Sequence, residues 1–328
     1  MNKFLLTLLL FIASPVMAKT LTIYTYSSFA SDWGPGPAIK QAFEEQCDCQ
    51  LEWVALEDGV SILNRLRLEG KHTKADIILG LDNNLLETAK NTGLLAKHQQ
   101  SPATVESLSL PGGWTDTTFL PYDYGYFSFI FNANKLSEPP HSFAELLERP
   151  ELTLLYQDPR TSTPGQGLLL WVQKLYGDKA PDVWRNLAKR TVAVTKGWSE
   201  SYGMFLKNEA DLVLSYSSSP AYHIANEQQT QYQAARFNEG HYLQVEVAAR
   251  LKNSSQPELA EQFMDFMLTA DFQQHIASGN WMYPVIDIPL PDSFNDLIAP
   301  EPALSFSPEQ VAKQRSAWLR QWLNAVTR

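Results

Sequence analysis

Aromatic rings, hydroxyls and one carboxylate recur at the ends of short apolar runs in this chain. Tyr24-Thr25-Tyr26 closes one run, Glu57-Asp58-Gly59 precedes a helical pattern, and Thr161-Ser162-Thr163-Pro164 precedes another. Gly197-Trp198-Ser199, Tyr216-Ser217-Ser218-Ser219-Pro220-Ala221-Tyr222 and Gly279-Asn280-Trp281-Met282-Tyr283-Pro284 complete the set. Tyr26, Trp198, Tyr216, Tyr222 and Trp281 could wall a slot for a flat or cationic ring, since a cation over an aromatic face gains roughly 0.5 to 2 kcal/mol. The same residue types also serve ordinary core packing. Asp58 offers either a charge for a ligand or an N-cap for the helix that follows. Two stretches share a Ser/Thr-Pro helix start, which leaves free N–H groups and the positive end of a helix dipole pointing outward, a setting for phosphate or carboxylate. Ser162, Thr163, Ser218 and Ser219 could equally cap their helices, and only spatial proximity of the two starts would favour the anion reading.

Motifs for bond-breaking chemistry are missing. Gly197-Trp198-Ser199-Glu200-Ser201 resembles a nucleophile elbow without its closing Gly, and neither H-E-x-x-H nor G-K-[ST] occurs. Gly34-Pro35-Gly36-Pro37 lacks the third Gly of a dinucleotide fingerprint. The histidines are scattered, and His223 beside Tyr222 is alone in its loop. Cys47 and Cys49 form a possible disulfide: an oxidising compartment favours pairing, while the tight Cys-x-Cys ring opposes it. With no nearby His, they do not form a zinc site.

Strands and helices in alternation must position these loops. Strands are expected at Leu21 to Tyr26, Leu51 to Leu56, Ala75 to Leu81, Tyr126 to Phe131, Leu152 to Tyr156, Val192 to Thr195, Asp211 to Tyr216 and Tyr242 to Ala249. Pro37 to Glu45, Val60 to Glu69, Pro164 to Tyr176 and Pro181 to Lys189 place apolar residues at helical spacing, three of them with Pro in the first turn. Ser307-Pro308-Glu309-Gln310 reads as a capping box before a helix that carries Trp318 and Trp322 on one face. The alternation indicates an α/β fold with a largely parallel sheet, in which ligands sit at the carboxyl ends of strands.

The first residues bear one charge, Lys3, then Phe4 to Ile12 as an apolar run, and close on Val16-Met17-Ala18, the pattern of a cleavable signal peptide over 1–18. The run is shorter than a membrane span, and residue 19 is Lys rather than a lipid-bearing Cys, so an exported chain without an anchor is expected. About 310 residues follow, enough for two domains. Crossings near Tyr122 to Tyr126 and His241 to Glu246 would give a discontinuous lobe 1 (19–122 and 246–328) and an inserted lobe 2 (123–245). A net charge of −10 argues against nucleic acid or anionic lipid as partner and is compatible with a cationic ligand.

At the loops the chain resembles the periplasmic thiamine-binding proteins of Gram-negative ABC transporters. The resemblance is carried by Tyr24-Thr25-Tyr26, Asp32-Trp33-Gly34-Pro35-Gly36-Pro37, Leu56-Glu57-Asp58-Gly59-Val60-Ser61 and Tyr122-Asp123-Tyr124-Gly125-Tyr126. Further on it rests on Tyr156 to Gly165, Lys196 to Glu200, Ser219 to His223, Gly240 to Glu246 and Gly279 to Pro284. It implies a two-lobed type II periplasmic binding protein that captures thiamine, with thiamine monophosphate and thiamine diphosphate as further ligands, and delivers it to a membrane permease. It also implies hinge closure, a monomer, a periplasmic location, no catalytic residue and no cofactor. Tyr26, Trp198, Tyr222 and Trp281 would hold the rings, and Asp58 with Gly59 the aminopyrimidine end. Ser162, Thr163, Tyr216, Ser217, Ser218 and Ser219 would meet the hydroxyethyl or phosphate end. The resemblance leads one to expect Thr at positions 217 and 218, where Ser keeps the hydroxyl and loses a methyl.

Two rival readings follow from the same fold. Tyr122, Tyr124 and Tyr126 could hold ferric ion through phenolates, although alternate residues on a strand also serve sheet packing. A thiamine-degrading transferase would need a reactive thiolate, and the only thiols are Cys47 and Cys49.

Overall fold

The computed structural model describes residues 19–327, so the expected signal peptide lies outside the described residues. Eleven strands form one continuous sheet: β1 (Lys19–Tyr26), β2 (Cys49–Leu56), β3 (Ile77–Asp82), β4 (Leu120–Asn132), β5 (Leu154–Gln157), β6 (Thr191–Thr195), β7 (Leu212–Tyr216), β8 (Tyr232–Ala234), β9 (His241–Arg250), β10 (Tyr283–Pro284) and β11 (Ala303–Leu304). The main path runs β2-β1-β3-β9-β4-β7-β5-β6.

Two parallel units stand at its ends. β1 pairs parallel with β2 and β3, and β5 pairs parallel with β6 and β7. Helices Gly36–Glu44 and Gly59–Glu69 link the strands of the first unit. Thr163–Tyr176, Ala180–Ala188 and Trp198–Leu206 link those of the second. Between the units, β4 and β9 run antiparallel to each other and to their outer neighbours. The expected parallel arrangement therefore holds within each unit but not at the centre. A chain that leaves one unit and returns to it must traverse the gap in both directions, which forces its two crossing strands to be antiparallel.

β4 is 13 residues long because it serves both units. Leu120 to Tyr126 pair with β9, and Phe127 to Phe131 pair with β7. Two large apolar cores follow, with a third, smaller cluster of Ile130, Leu155, Tyr202, Phe205 and Val213 against which Trp198 packs. Of the large cores, one gathers Leu21, Ile23, Phe29, Ile78, Leu81, Val247 and Phe263, and the other Phe129, Leu154, Leu168, Trp171, Trp184 and Leu214. Tyr216 packs against both.

The C-terminal helix Pro308–Val326 opens with the expected capping box, Ser307 and Gln310 bonding each other's backbone N–H. Its packing differs from the expected 246–328 grouping. Val311, Trp318 and Trp322 enter the second core, and Trp322 Nε1 donates to Tyr156 Oη at 3.3 Å. The Arg160 guanidinium lies 5.5 Å from the Trp322 ring, covering its edge of the core with a cation over an aromatic face. The tryptophan face was legible in sequence, but its partner was not, because amphipathic spacing fixes which face is buried and not against what. Cys47 and Cys49 are disulfide-bonded at the start of β2.

Candidate functional site

The cleft begins where β4 and β9 cross between the two cores. Their register sets Asp123 opposite Glu246, both fully or almost fully buried. Glu246 Oε2 accepts from Tyr26 Oη at 2.7 Å and Tyr122 Oη at 2.8 Å, and Oε1 accepts from Gln244 Nε2 at 3.0 Å. Gln244 is held in turn by the Tyr216 hydroxyl at 3.1 Å. Asn280 Nδ2 donates to Asp123 Oδ2 at 2.7 Å, while no N–H or O–H of the described residues reaches Asp123 Oδ1. Burial pushes both acids up, each aided by other carboxylates, and Glu246 rises to about 7 against the pull of its tyrosine donors.

Aromatic walls rise from this floor on irregular backbone. Tyr222 ends the short helix Pro220–Tyr222 and leads into a π-helical turn, His223–Glu227. A second π turn, Ile276–Asn280, ends at Trp281, which is held left-handed at φ 56°. Such turns and positive-φ bulky residues cost roughly 1 to 3 kcal/mol and persist where the surroundings fix them, here aiming two rings at each other. The Tyr222 and Trp281 rings meet edge to face at 5.7 Å. Across the cleft, Trp198 stacks on Tyr202 at 4.8 Å and donates through Nε1 to Ser215 Oγ at 2.7 Å. One edge of the Tyr26 ring lies against β3 because Gly80, at φ 112°, has no side chain; a Cβ there would stand 2.3 Å from the tyrosine ring.

The mouth is closed by contacts between loops of the two halves. Asp58 caps the helix Gly59–Glu69 through Gly59 N at 2.8 Å, and its other oxygen accepts from Ser162 Oγ at 2.7 Å. The N–H groups of Thr163 and Trp198, each the first residue of its helix, also face this carboxylate. Three helix N-termini thus converge on one acid. Burial still pushes Asp58 upward, with Ser162 the foremost group opposing the shift. Ser61 Oγ donates to Thr161 O at 3.0 Å, and Gly59 passes so close to Thr163 that a Cβ would lie 2.2 Å from its hydroxyl.

These walls enclose a cavity of about 270 Å³. Of the residues expected at the site, Tyr26, Asp58, Trp198, Tyr216, Ser219, Tyr222 and Trp281 line it. Gly59, Ser162, Thr163, Ser217 and Ser218 are buried and are not part of that lining. Pro164 and Ser219 both face the cavity, so the two Ser/Thr-Pro helix starts do come together. Asp58 and Ser162, expected at opposite ends of a ligand, touch each other instead. The hydroxyls of Thr163 and Ser217 are buried without a partner among the described residues.

Trp33, Glu246, Asn280 and Met282 also line the cavity and had been given no role. For Glu246 a signal existed: a lone acid inside the apolar run Tyr242 to Ala249. Trp33, half exposed and 6.2 Å from Trp198, carried no local signal. Of the tyrosines considered for ferric ion, Tyr122 is buried and bonded to Glu246, and Tyr124 stacks on Tyr283 at 5.3 Å. No cysteine is among the residues lining the cavity.

Residues 72–307 match the family described as bacterial extracellular solute-binding protein. The thiamine-binding periplasmic protein of Escherichia coli (strain K12) is 59% identical over 330 residues, covering 100% of both chains. A solved structure named periplasmic thiamin binding protein superposes with a TM-score of 0.93 at 58% identity, covering 96% of this chain and 98% of that one. Iron-bound HitA from Pseudomonas aeruginosa superposes at a TM-score of 0.76 with 20% identity over 93% of this chain and 99% of its own, a likeness of fold alone.

Proposed function

The chain belongs to the bacterial extracellular solute-binding protein family, and from its cleft we infer a periplasmic thiamine-binding protein. One observation carries the reading. Tyr26, Trp198, Tyr222 and Trp281, drawn from both ends of the sheet, face one cavity that also presents acids and no Lys, Arg or His. Flat aromatic walls suit the two rings of thiamine, and buried negative charge suits its thiazolium.

In this reading residues 19–122 and 246–328 form one lobe and 123–245 the other, except that the C-terminal helix rides on the second. Closure brings the halves together because the ligand touches both walls only then, so its binding energy is a difference between the two states. Asp58, oriented by Ser162 and backed by Gly59, meets the aminopyrimidine. Ser219, with Tyr216 and the partnerless hydroxyl of Ser217 behind it, meets the hydroxyethyl group or a phosphate ester. The closed form then docks on the membrane permease of an ABC importer, with the protein acting as a monomer.

Calorimetric titration of ligand-stripped protein with thiamine, thiamine monophosphate and thiamine diphosphate tests this reading. Tight one-to-one binding with a change in tryptophan fluorescence is the expected result. Absence of heat and of spectral change in folded protein would overturn the ligand assignment.

A further inference from the structure

The back wall holds more negative charge than its hydrogen bonds neutralise. Glu246 has three donors within 3.0 Å and a fourth, Asn280 Nδ2, at 3.5 Å, whereas Asp123 opposite it has one, from Asn280, and among the described residues its Oδ1 has none. A buried acceptor left without a donor is costly, and two ionised carboxylates facing each other across a strand pair are costlier still. A proton held between the two acids removes both penalties at once.

The groups around the pair supply no positive charge. Tyr26 from β1, Tyr122 from β4, Tyr216 from β7, Asp58 from the start of Gly59–Glu69 and Asn280 from the turn before Trp281 face it, with Gln244 beside it on β9. Glu246 also lines the cavity, so a cation in the cleft approaches a carboxylate whose field no protein cation cancels.

We propose that Asp123 and Glu246 share one proton in the ligand-free cleft, and that the pair selects a ligand bearing a fixed positive charge by releasing that proton to solvent as the ligand enters. The proposal rests on the thiamine reading and assigns recognition of the thiazolium charge to Glu246, with Asp123 as the positioning residue that sets its protonation. Binding and proton release are then linked, so affinity rises with pH through the range in which the pair titrates and falls as the pair becomes fully protonated.

The test is calorimetric titration of the ligand-stripped protein with unphosphorylated thiamine at neutral pH in two buffers of different ionisation enthalpy. Thiamine itself is used because a phosphate group would titrate at about pH 6. The expected heats differ between buffers by the release of about half to one proton, and the dissociation constant rises about tenfold between pH 8 and pH 6. Asp123→Asn leaves Glu246 its donors without a facing acid, so binding should become nearly independent of pH over that range. Glu246→Gln should abolish the proton release and reduce by about tenfold the preference for thiamine over its neutral isostere with carbon in place of the thiazolium nitrogen. Equal heats in both buffers with tight binding intact, or an Asp123→Asn protein with the wild-type pH slope, would overturn the proposal. No binding of thiamine in either buffer would instead remove the reading it rests on.

Discussion

The back wall and the mouth of the cleft are built on opposite principles. The back wall consists of two continuous strands, β4 and β9, with a ladder of backbone hydrogen bonds and with Glu246 held by the hydroxyls of Tyr26 on β1 and Tyr122 on β4. The mouth consists of side chains on separate loops, Asp58 on Ser162 and Ser61 on the Thr161 carbonyl, with Trp33 near Trp198. A ladder between strands persists while its strands bend, whereas single side-chain contacts can break and re-form. Apart from Asp123 and Glu246, whose charge faces the cavity, substitutions in the back should therefore move folding stability, and substitutions at the mouth or on its aromatic walls should move affinity with stability little changed.

The largest effect is expected in the back, at His241. Its ring is buried, with Nδ1–H donating to Phe127 O at 2.7 Å and Nε2 accepting from Phe237 N at 2.9 Å, so both nitrogens are used in the neutral tautomer. Burial lowers its pKa to about 4. Between that value and the ordinary histidine range the unfolded chain binds the proton and the folded chain does not. The stability this group contributes is therefore complete above about pH 6.5 and is lost as pH falls towards 4, by about 3 kcal/mol. Denaturant midpoints of the wild type and of His241→Gln should converge as the pH is lowered over this window. Parallel curves would show that His241 does not titrate in this way.

Next in size is Trp198→Ala on the cleft wall, which removes the ring stacked on Tyr202 and its bond to Ser215. Thiamine affinity should fall at least about tenfold with the thermal midpoint little changed. Unchanged affinity would take this ring out of the site, and a collapsed midpoint would make the wall part of the core.

The smallest effect belongs to the contacts across the mouth. Ser162→Ala removes a hydrogen bond to a carboxylate and the side-chain cap of Thr163–Tyr176, a long one at 3.4 Å, and affinity should weaken by about threefold to tenfold through a less favoured closed state. Asp58→Asn tests the other partner: weaker binding means its charge is used, and an unaltered dissociation constant leaves it as the cap of Gly59–Glu69 alone. A loss of stability as large as that expected at His241 from either change would erase the distinction between mouth and back.

The sequence by itself determined the eight longer strands, five of the helices and most of the ring-bearing loops, while the two- and three-residue strands and helices such as Trp198–Leu206 and Pro257–Phe266 were not read from it. Period-two and period-3.6 patterns record burial locally, and Ser/Thr-Pro starts record backbone geometry within four residues. Only the tertiary structure decided that β4 and β9 run antiparallel, that Trp318 and Trp322 pack on the second core, and that Asp58 meets Ser162 across the mouth. The pairing of Asp123 with Glu246 is of the same kind, joining residues 123 positions apart through strand register that no local pattern encodes. Local propensity acts over one turn or one strand, whereas the charge that selects a ligand is set by groups that meet only after the chain has crossed between the two cores twice.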